Sequence, residues 1–470
     1  MAIFFELPLK LRCNMLVGYS VKNYKSFKNH QYISFMKGKS KAHDNHVIKQ
    51  GDKELLKCGL IFGANASGKS NFIHSIEFSR TIILKGIDNV DVNKCHFRID
   101  SDMLRSPAVF EYRILIDEAE YSYGIVISYN EKIILGEWLS KINSDGSETC
   151  IFNREVDDNG DSHSSSDLLN DLDDESRMKM KFFLDGFSKN ISEEYKKKSL
   201  LSDIAQRVNE QDKFFSQIKK VYKWFEEILI ISPSARFSGL NKLASDENSK
   251  RFFSLLMKYF DTGITGIDEG EIDFDDIINK LPKEMVESIK IDISNLVTSN
   301  PVTVKINDSF YDLFKDNEGN IISKKLLLDH GNSKDMFDYN DESDGTQRLF
   351  DLVPLFTVAN SYSPIIIDEI DRSMHSSLTR KYIEMYLSNN KTKQLIATTH
   401  DTNLLDLDLL RKDEIWFVKR ANDNSSEIYS LNSFKLLLDN KQKIDTDYLI
   451  GRYGAVPLFN ETLMRNLINE

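Results

Sequence analysis

Gly63-Ala64-Asn65-Ala66-Ser67-Gly68-Lys69-Ser70 constrains this 470-residue chain more than any other stretch. It fits G-x-x-x-x-G-K-[ST], with the apolar run Leu60-Ile61-Phe62 before it and a helical pattern from about Gly68 to Leu84 behind it. Glycines let the backbone curl around an anion so that successive N–H groups converge on it, and a helix N-terminus adds its dipole. Gly63, Asn65, Ala66, Ser67, Gly68, Lys69, Ser70 and Asn71 are therefore candidates to hold the phosphates of ATP. Within that set Lys69 would reach the β- and γ-phosphates, and the Ser70 hydroxyl would ligate Mg²⁺.

A phosphate loop that hydrolyses ATP needs an acidic partner, and Pro364-Ile365-Ile366-Ile367-Asp368-Glu369 supplies one: an apolar strand ending in two acids. Asp368 is placed to hold Mg²⁺ and Glu369 to polarise the attacking water. Ser343-Asp344-Gly345-Thr346-Gln347 stands just before a helix, a short way ahead of Asp368, where Ser and Gly make a second anion site. Beyond the acids a further apolar run ends in Thr398-Thr399-His400, which puts a histidine at a strand's C-terminal edge. A GTPase would want an Asn-Lys-x-Asp base reader, and no Asn-Lys pair here has that form. A ring-forming ATPase would not carry a signature helix between its loop and its acids.

Alternation over residues 15–36 predicts strand, turn and strand, and the β-rich runs of 108–152 predict an antiparallel meander. Residues 156–175, rich in Asp, Ser and Asn, read as a surface loop or flexible link. Leu201, Ile204, Val208, Gln211, Phe215, Ile218, Tyr222, Phe225 and Leu229 then alternate three and four apart. That spacing predicts either a coiled-coil-like seam or a helix packed on its own domain. If unbroken, a helix of about 38 residues starting at Ser192 would project up to ~55 Å. Residues 246–300 read as mainly helical, with strands resuming near 302–306 and 325–328 and alternating helix and strand from Ser343 onward. The expected organisation is an N-terminal extension over 1–14, a lobe with the phosphate loop and meander over 15–155, a helical insertion over 156–300, and a second lobe over 301–470.

Charge and cysteines narrow the class further. The net charge of −12 disfavours a protein that wraps nucleic acid, which would need a local basic patch hidden by the composition. Cys13, Cys58, Cys95 and Cys150 show no paired spacing and read as reduced cytosolic thiols. No stretch approaches the roughly 20 apolar residues of a spanning helix, and Met1 to Asn14 lacks the layout of a signal peptide. Met15 is a possible alternative start.

Taken in order, Asn23-Tyr24-Lys25-Ser26-Phe27, the phosphate loop, a helical insertion, Ser343–Gln347, Asp368-Glu369 and His400 resemble an ABC-type ATPase head of the Rad50/SMC/RecF kind. The continuation Asp368-Glu369-Ile370-Asp371 with His375, the run Asp261-Thr262-Gly263-Ile264 and the tail Gly451-Arg452-Tyr453-Gly454-Ala455-Val456-Pro457 resemble more closely the OLD-related ATPases of bacterial anti-phage defence. The fold implied is α/β: a mixed β lobe plus a parallel phosphate-loop sheet with flanking helices. The resemblance implies two heads sandwiching ATP, with Ser343 and Gly345 contacting the γ-phosphate in trans and His400 sensing it. It makes Lys25 and Ser26 candidates for the nucleotide's edge. Single-chain OLD proteins carry a Toprim nuclease after the ATPase, and the stretch 401–470 that follows His400 is too short for one. Asp406-x-Asp408 reads as part of a helix with solvated acids rather than a nuclease pair. The expected partners are thus a second copy, a separate effector of the Toprim kind and a phage-encoded trigger, in the cytoplasm. The alternatives are a DNA-clamping repair ATPase and a transporter motor. The wide separation of Ser70 from Ser343 disfavours the motor.

Overall fold

The computed structural model describes residues 14–157, 159–188, 192–209, 212–233, 247–279, 281, 286–287, 302–306, 309–315, 318, 320–332, 335–356, 364–389, 393–434 and 444–456. The expected extension lies outside them except for Asn14, which already belongs to the first strand and pairs with Ile116. Gln211 of the heptad pattern and Pro457 of the tail also lie outside.

The strands are β1 (Asn14–Lys22), β2 (Gln31–Ser34), β3 (Val47–Gln50), β4 (Lys53–Leu56), β5 (Cys58–Phe62), β6 (Ala108–Ile116), β7 (Ala119–Ser128), β8 (Ile133–Ile142), β9 (Glu148–Val156) and β10 (Ser162–Ser165). They continue as β11 (Leu229–Ile231), β12 (Gly266–Ile272), β13 (Val302–Ile306), β14 (Ser309–Lys315), β15 (Ile321–Asp329), β16 (Phe337–Asp338), β17 (Ile365–Ile367), β18 (Leu395–Thr398), β19 (Ile415–Arg420) and β20 (Ser426–Ser430). The main helices are α1 (Lys69–Lys85), α2 (Asp174–Gly186), α3 (Leu200–Arg207), α4 (Phe215–Glu227), α5 (Glu247–Tyr259), α6 (Asp344–Leu352), α7 (Ser376–Asn389) and α8 (Ile444–Leu449). The chain divides into two units: Met1–Pro233 with Tyr362–Ile370 and Tyr382–Glu470, and Ser234–Ser361 with Asp371–Lys381.

The first unit holds two large sheets. One is a seven-stranded antiparallel sheet in the order β10-β9-β8-β7-β6-β1-β2, so the meander expected over 108–152 is present and gains β10 at its edge. The supposed surface loop 156–175 therefore contains a strand, because Ser162–Ser165 finds an open edge on β9. The other sheet runs β11-β17-β18-β5-β19-β20, parallel throughout except for β20 at its edge. Its central strands β5, β17 and β18 are buried at every residue, as a parallel sheet covered on both faces requires. Helix α1 shares one core with both sheets, through Phe72, Ile73, Ile76, Ile82 and Ile83. It stops at Gly86, whose left-handed φ of 90° suits the residue after a helix C-terminus.

Two expectations are overturned here. The heptad positions do not lie on one long helix: α3 ends at Arg207, Val208 is extended, and α4 begins at Phe215. Asp212 accepts from the amides of Phe214 and Phe215, so it caps a new helix where the long one would have continued. Leu201, Ile204, Val208, Phe215, Ile218 and Phe225 then bury in the core that also holds α1, so the seam is intramolecular and no coiled-coil arm forms from it. Glu137 on β8 fixes this arrangement. Its carboxylate accepts from the Leu200 amide at 2.7 Å, the Leu201 amide at 2.9 Å and the Ser199 hydroxyl at 2.9 Å, at the N-terminus of α3, where the helix dipole favours negative charge. Residues 156–233 thus sit with the first unit rather than in a separate insertion. The second correction is Asp406-x-Asp408, which lies in a turn rather than a helix, the Asp406 carboxylate accepting from the Asp408 amide.

The second unit is built on a small antiparallel sheet, β12-β15-β14-β13, with β16 also on β15. Gly266–Ile272, within the stretch 246–300 read as mainly helical, is strand β12, paired with β15 along its whole length. Phe253 of α5 and Tyr339 both pack on Phe350 of α6.

Candidate nucleotide site

The parallel sheet brings the chemistry together. With β18 between β5 and β17, the loop after β5, the acids after β17 and His400 after β18 all leave the same carboxyl-terminal edge. The loop enters α1 through Gly68 at φ 113°, a left-handed conformation that suits glycine. A side chain there would also begin 2.2 Å from Ser426 Oγ and 2.7 Å from Ser26 Oγ. Ala66 also turns left-handed, at φ 61°, and together with Asn65 stands exposed at the loop's crest.

Lys69 is nearly buried and folds back over its own loop. Its ammonium donates to Gly63 O at 2.7 Å and Ala64 O at 3.1 Å, and lies 3.3 Å from His400 Nδ1. An ammonium can only donate, so Nδ1 is the acceptor and neutral His400 carries its proton on Nε2. Ser67 has a buried hydroxyl with no partner among the described residues, a donor left over for an anion's oxygen. The first-turn amides of α1, which a helix cannot satisfy internally, face the same need.

Asp368 is buried at the end of β17. It accepts from Ser70 Oγ at 3.2 Å and from Thr398 Oγ1 at 2.5 Å, while Thr398 Oγ1 accepts from the Glu369 amide at 2.8 Å. One hydroxyl on the intervening strand therefore holds both acids. Glu369 needs holding, because its φ of 51° is left-handed and strained for a side-chain-bearing residue. A hydroxyl and a carboxylate side by side are hard oxygen donors of the kind that bind Mg²⁺ together with substrate phosphates, so Ser70 and Asp368 fit that ion. Among the described residues no group of three His, Cys, Asp or Glu forms a separate metal cage.

Ser26 and Lys25 come to this site by different routes. Ser26 Oγ accepts from Asn71 Nδ2 at 2.9 Å, and Ser26 O from the Ser426 amide at 2.7 Å. Lys25, left-handed at φ 47°, places its ammonium 3.2 Å from His74 Nδ1, one turn beyond Ser70 on α1. Burial, and then the Lys25 ammonium, hold the His74 imidazole below its ordinary value against the opposing pull of Asp368.

Two contributors were given no role by the sequence reading. Ser426 donates to Ser67 O at 2.5 Å, bracing the loop from β20. Ala455 O accepts from the Ala64 amide at 2.9 Å, so the tail reaches the loop itself.

Ser343 and Gly345 belong to the second unit. Ser343 is the N-cap of α6, its hydroxyl accepting from the Thr346 amide at 3.2 Å, so the motif opens the helix rather than preceding it. A side chain at Gly345 would begin 2.8 Å from Ser373 O, a space only glycine fits. Together with Phe260, Asp261, Thr262 and Ser373 they line a cavity of about 560 Å³. The Asp261–Gly263 loop was noted in the sequence without a place, and it lies beside this helix N-terminus.

The sheet, its loop and the paired acids define a P-loop nucleotide-binding domain of the ATPase class. A family described as "AAA domain, putative AbiEii toxin, Type IV TA system" matches residues 60–406, about three quarters of the sequence, and the chain belongs to it. Two solved structures are similar in part. "Crystal structure of the SmcHead bound to the C-winged helix domain of ScpA" shares 14% identity over 88% of this chain and 98% of that one, at a TM-score of 0.37. "SMC head domain from Thermotoga maritima" shares 13% identity over 88% and 98%, at 0.35. No curated protein matches. No helix among the described residues is long and apolar enough to cross a membrane.

Proposed function

We propose that this chain hydrolyses ATP as the regulatory ATPase of an anti-phage defence system of the OLD-related, PARIS-like kind. In this reading two copies clamp ATP and control a separate toxic effector, of the Toprim nuclease type, on a phage-encoded trigger. The observation that carries the catalytic part is the Thr398 hydroxyl joining Asp368 to the Glu369 backbone, with Ser70 on Asp368. Lys69 and the loop amides would bind the phosphate oxygens. Glu369 would take the proton of the attacking water, and His400 would steady the charge that develops on the γ-phosphate. Ser70 and Asp368 would hold Mg²⁺, which when bound supplies countercharge to the phosphates. Ser343 and Gly345 of the second copy would complete the site. The family description names a toxin of a type IV toxin–antitoxin system, which agrees with a defence role. The net charge of −12 weighs against a DNA clamp.

Lys69→Ala should lower phosphate release by roughly 10²-fold or more; wild-type turnover in that variant would remove the loop from the mechanism. Glu369→Gln should trap ATP, and native mass measurement after co-expression with the neighbouring gene should give a complex larger than one chain. A lone monomer would count against the regulatory reading, and tight, salt-sensitive DNA binding with ATP would favour the repair ATPase.

A further inference from the structure

The tail contact with the loop has a geometric consequence. The Ala64 N–H and the Gly63 C=O belong to one planar trans peptide, so fixing one end fixes the direction of the other. Ala455 O holds the N–H end at 2.9 Å, and the C=O end accepts from Lys69 Nζ at 2.7 Å. Ala455 O accepts in turn from the Tyr448 hydroxyl at 3.0 Å. The segment making this contact is clamped to the strands that launch the loop. Tyr448 and Tyr453 each stack on Phe417, at 5.6 and 5.4 Å, and Phe417 is the β19 partner of Phe62, the residue before Gly63. Tyr429 Oη donates to Tyr453 O at 2.5 Å, and Asp447 takes Arg452 at 3.0 Å and the Tyr453 hydroxyl at 3.3 Å.

We propose that the C-terminal segment 444–456 sets the orientation of the Lys69 ammonium through the Gly63–Ala64 peptide, with Tyr448 as its positioning residue. The relay is Tyr448 Oη to Ala455 O, Ala64 N–H to the same oxygen, and Gly63 O to Lys69 Nζ. A carbonyl from the tail therefore occupies the Ala64 amide and makes that peptide a strut of the loop. The segment acts on ATP only through the loop, and its role rests on the reading of Lys69 as a phosphate ligand. Because Lys69 keeps its charge and only its aim is loosened, ATP binding should weaken while the chemical step stays nearly unchanged, unlike the outright loss of the ammonium in Lys69→Ala.

Tyr448→Phe keeps the ring stack and deletes the relay's first hydroxyl. It should raise the Kd for a non-hydrolysable Mg-ATP analogue, by calorimetry, and the KM for ATP by about 2- to 10-fold, with kcat held. Hydrogen exchange in the peptide covering 63–70 should quicken in the same variant, reporting the freed Ala64 amide. An unchanged Kd with wild-type exchange would overturn the proposal. So would a lower apo melting temperature with the Kd unmoved, the mark of a purely structural tyrosine. If wild type itself binds no Mg-ATP, the nucleotide reading fails instead, which the same titration separates.

Discussion

Thr398 is a single hydroxyl placed between two acids. Its Oγ1 donates to Asp368 and accepts from the Glu369 amide, so it sets both the buried carboxylate and the strained turn that aims Glu369. Thr398→Val keeps the shape of the side chain and removes the bridge, leaving a backbone N–H and a buried carboxylate each short of a partner, at a cost of about 1–3 kcal/mol. If that cost falls on the geometry of Glu369, kcat should drop roughly 10- to 100-fold while the affinity for Mg-ATP stays close to wild type. Steady-state phosphate release set beside equilibrium binding checks this, and a kcat within twofold of wild type would refute the bridge. The residues that gather at this edge of the sheet were mostly legible from sequence, since glycine, lysine and paired acids at strand ends have narrow uses. Ser426 and Ala455 were not, because one donates to a backbone carbonyl and the other offers only its own carbonyl, from the far end of the chain, to Ala64. A backbone oxygen leaves no mark on residue identity.

Element by element, the strands were easier to read than the helices. The alternation in β6, with Ala108, Phe110, Tyr112 and Ile114 buried and Val109, Glu111 and Arg113 half-buried, is the pattern of a strand with one core face. The same logic misled over 201–229, where a period near 3.5 fits one long seam or two short helices folded onto a common core. Asn209 and Asp212 were the missed signal, polar cap-forming residues inside an apolar pattern. The packed arrangement makes a testable claim. Ile204→Ala should lower the stability of the unliganded chain by about 2–5 kcal/mol in urea unfolding, as a buried large-to-small change does. On a projecting arm it would alter self-association and leave that midpoint alone. Glu137→Ala should be costly as well, by about 1–3 kcal/mol, since it strips the N-terminus of α3 of its buried acceptor.

At the scale of the whole molecule, burial of charge ties stability to pH. Lys393, just before β18, is almost inaccessible, and burial pulls its ammonium down to about 8 from an ordinary 10.5. Between those values the unfolded chain keeps a proton that the folded chain has lost, so this group makes stability rise with pH across roughly pH 8 to 10 and is least favourable below that window. Lys393→Met should flatten that slope in unfolding measurements, and an unchanged slope would mean the ammonium is better compensated than its burial implies. The order of the parallel sheet has a consequence for how the protein is made. Leu60 of β5 pairs with Ala397 of β18, so most of the chain lies between two neighbouring strands. At roughly 5–20 residues per second of synthesis, the strand that launches the phosphate loop waits on the order of 20–70 s for its neighbour to leave the ribosome. Through that interval β5, apolar along its whole length, needs shielding, so the nucleotide site is among the last features a newborn chain acquires.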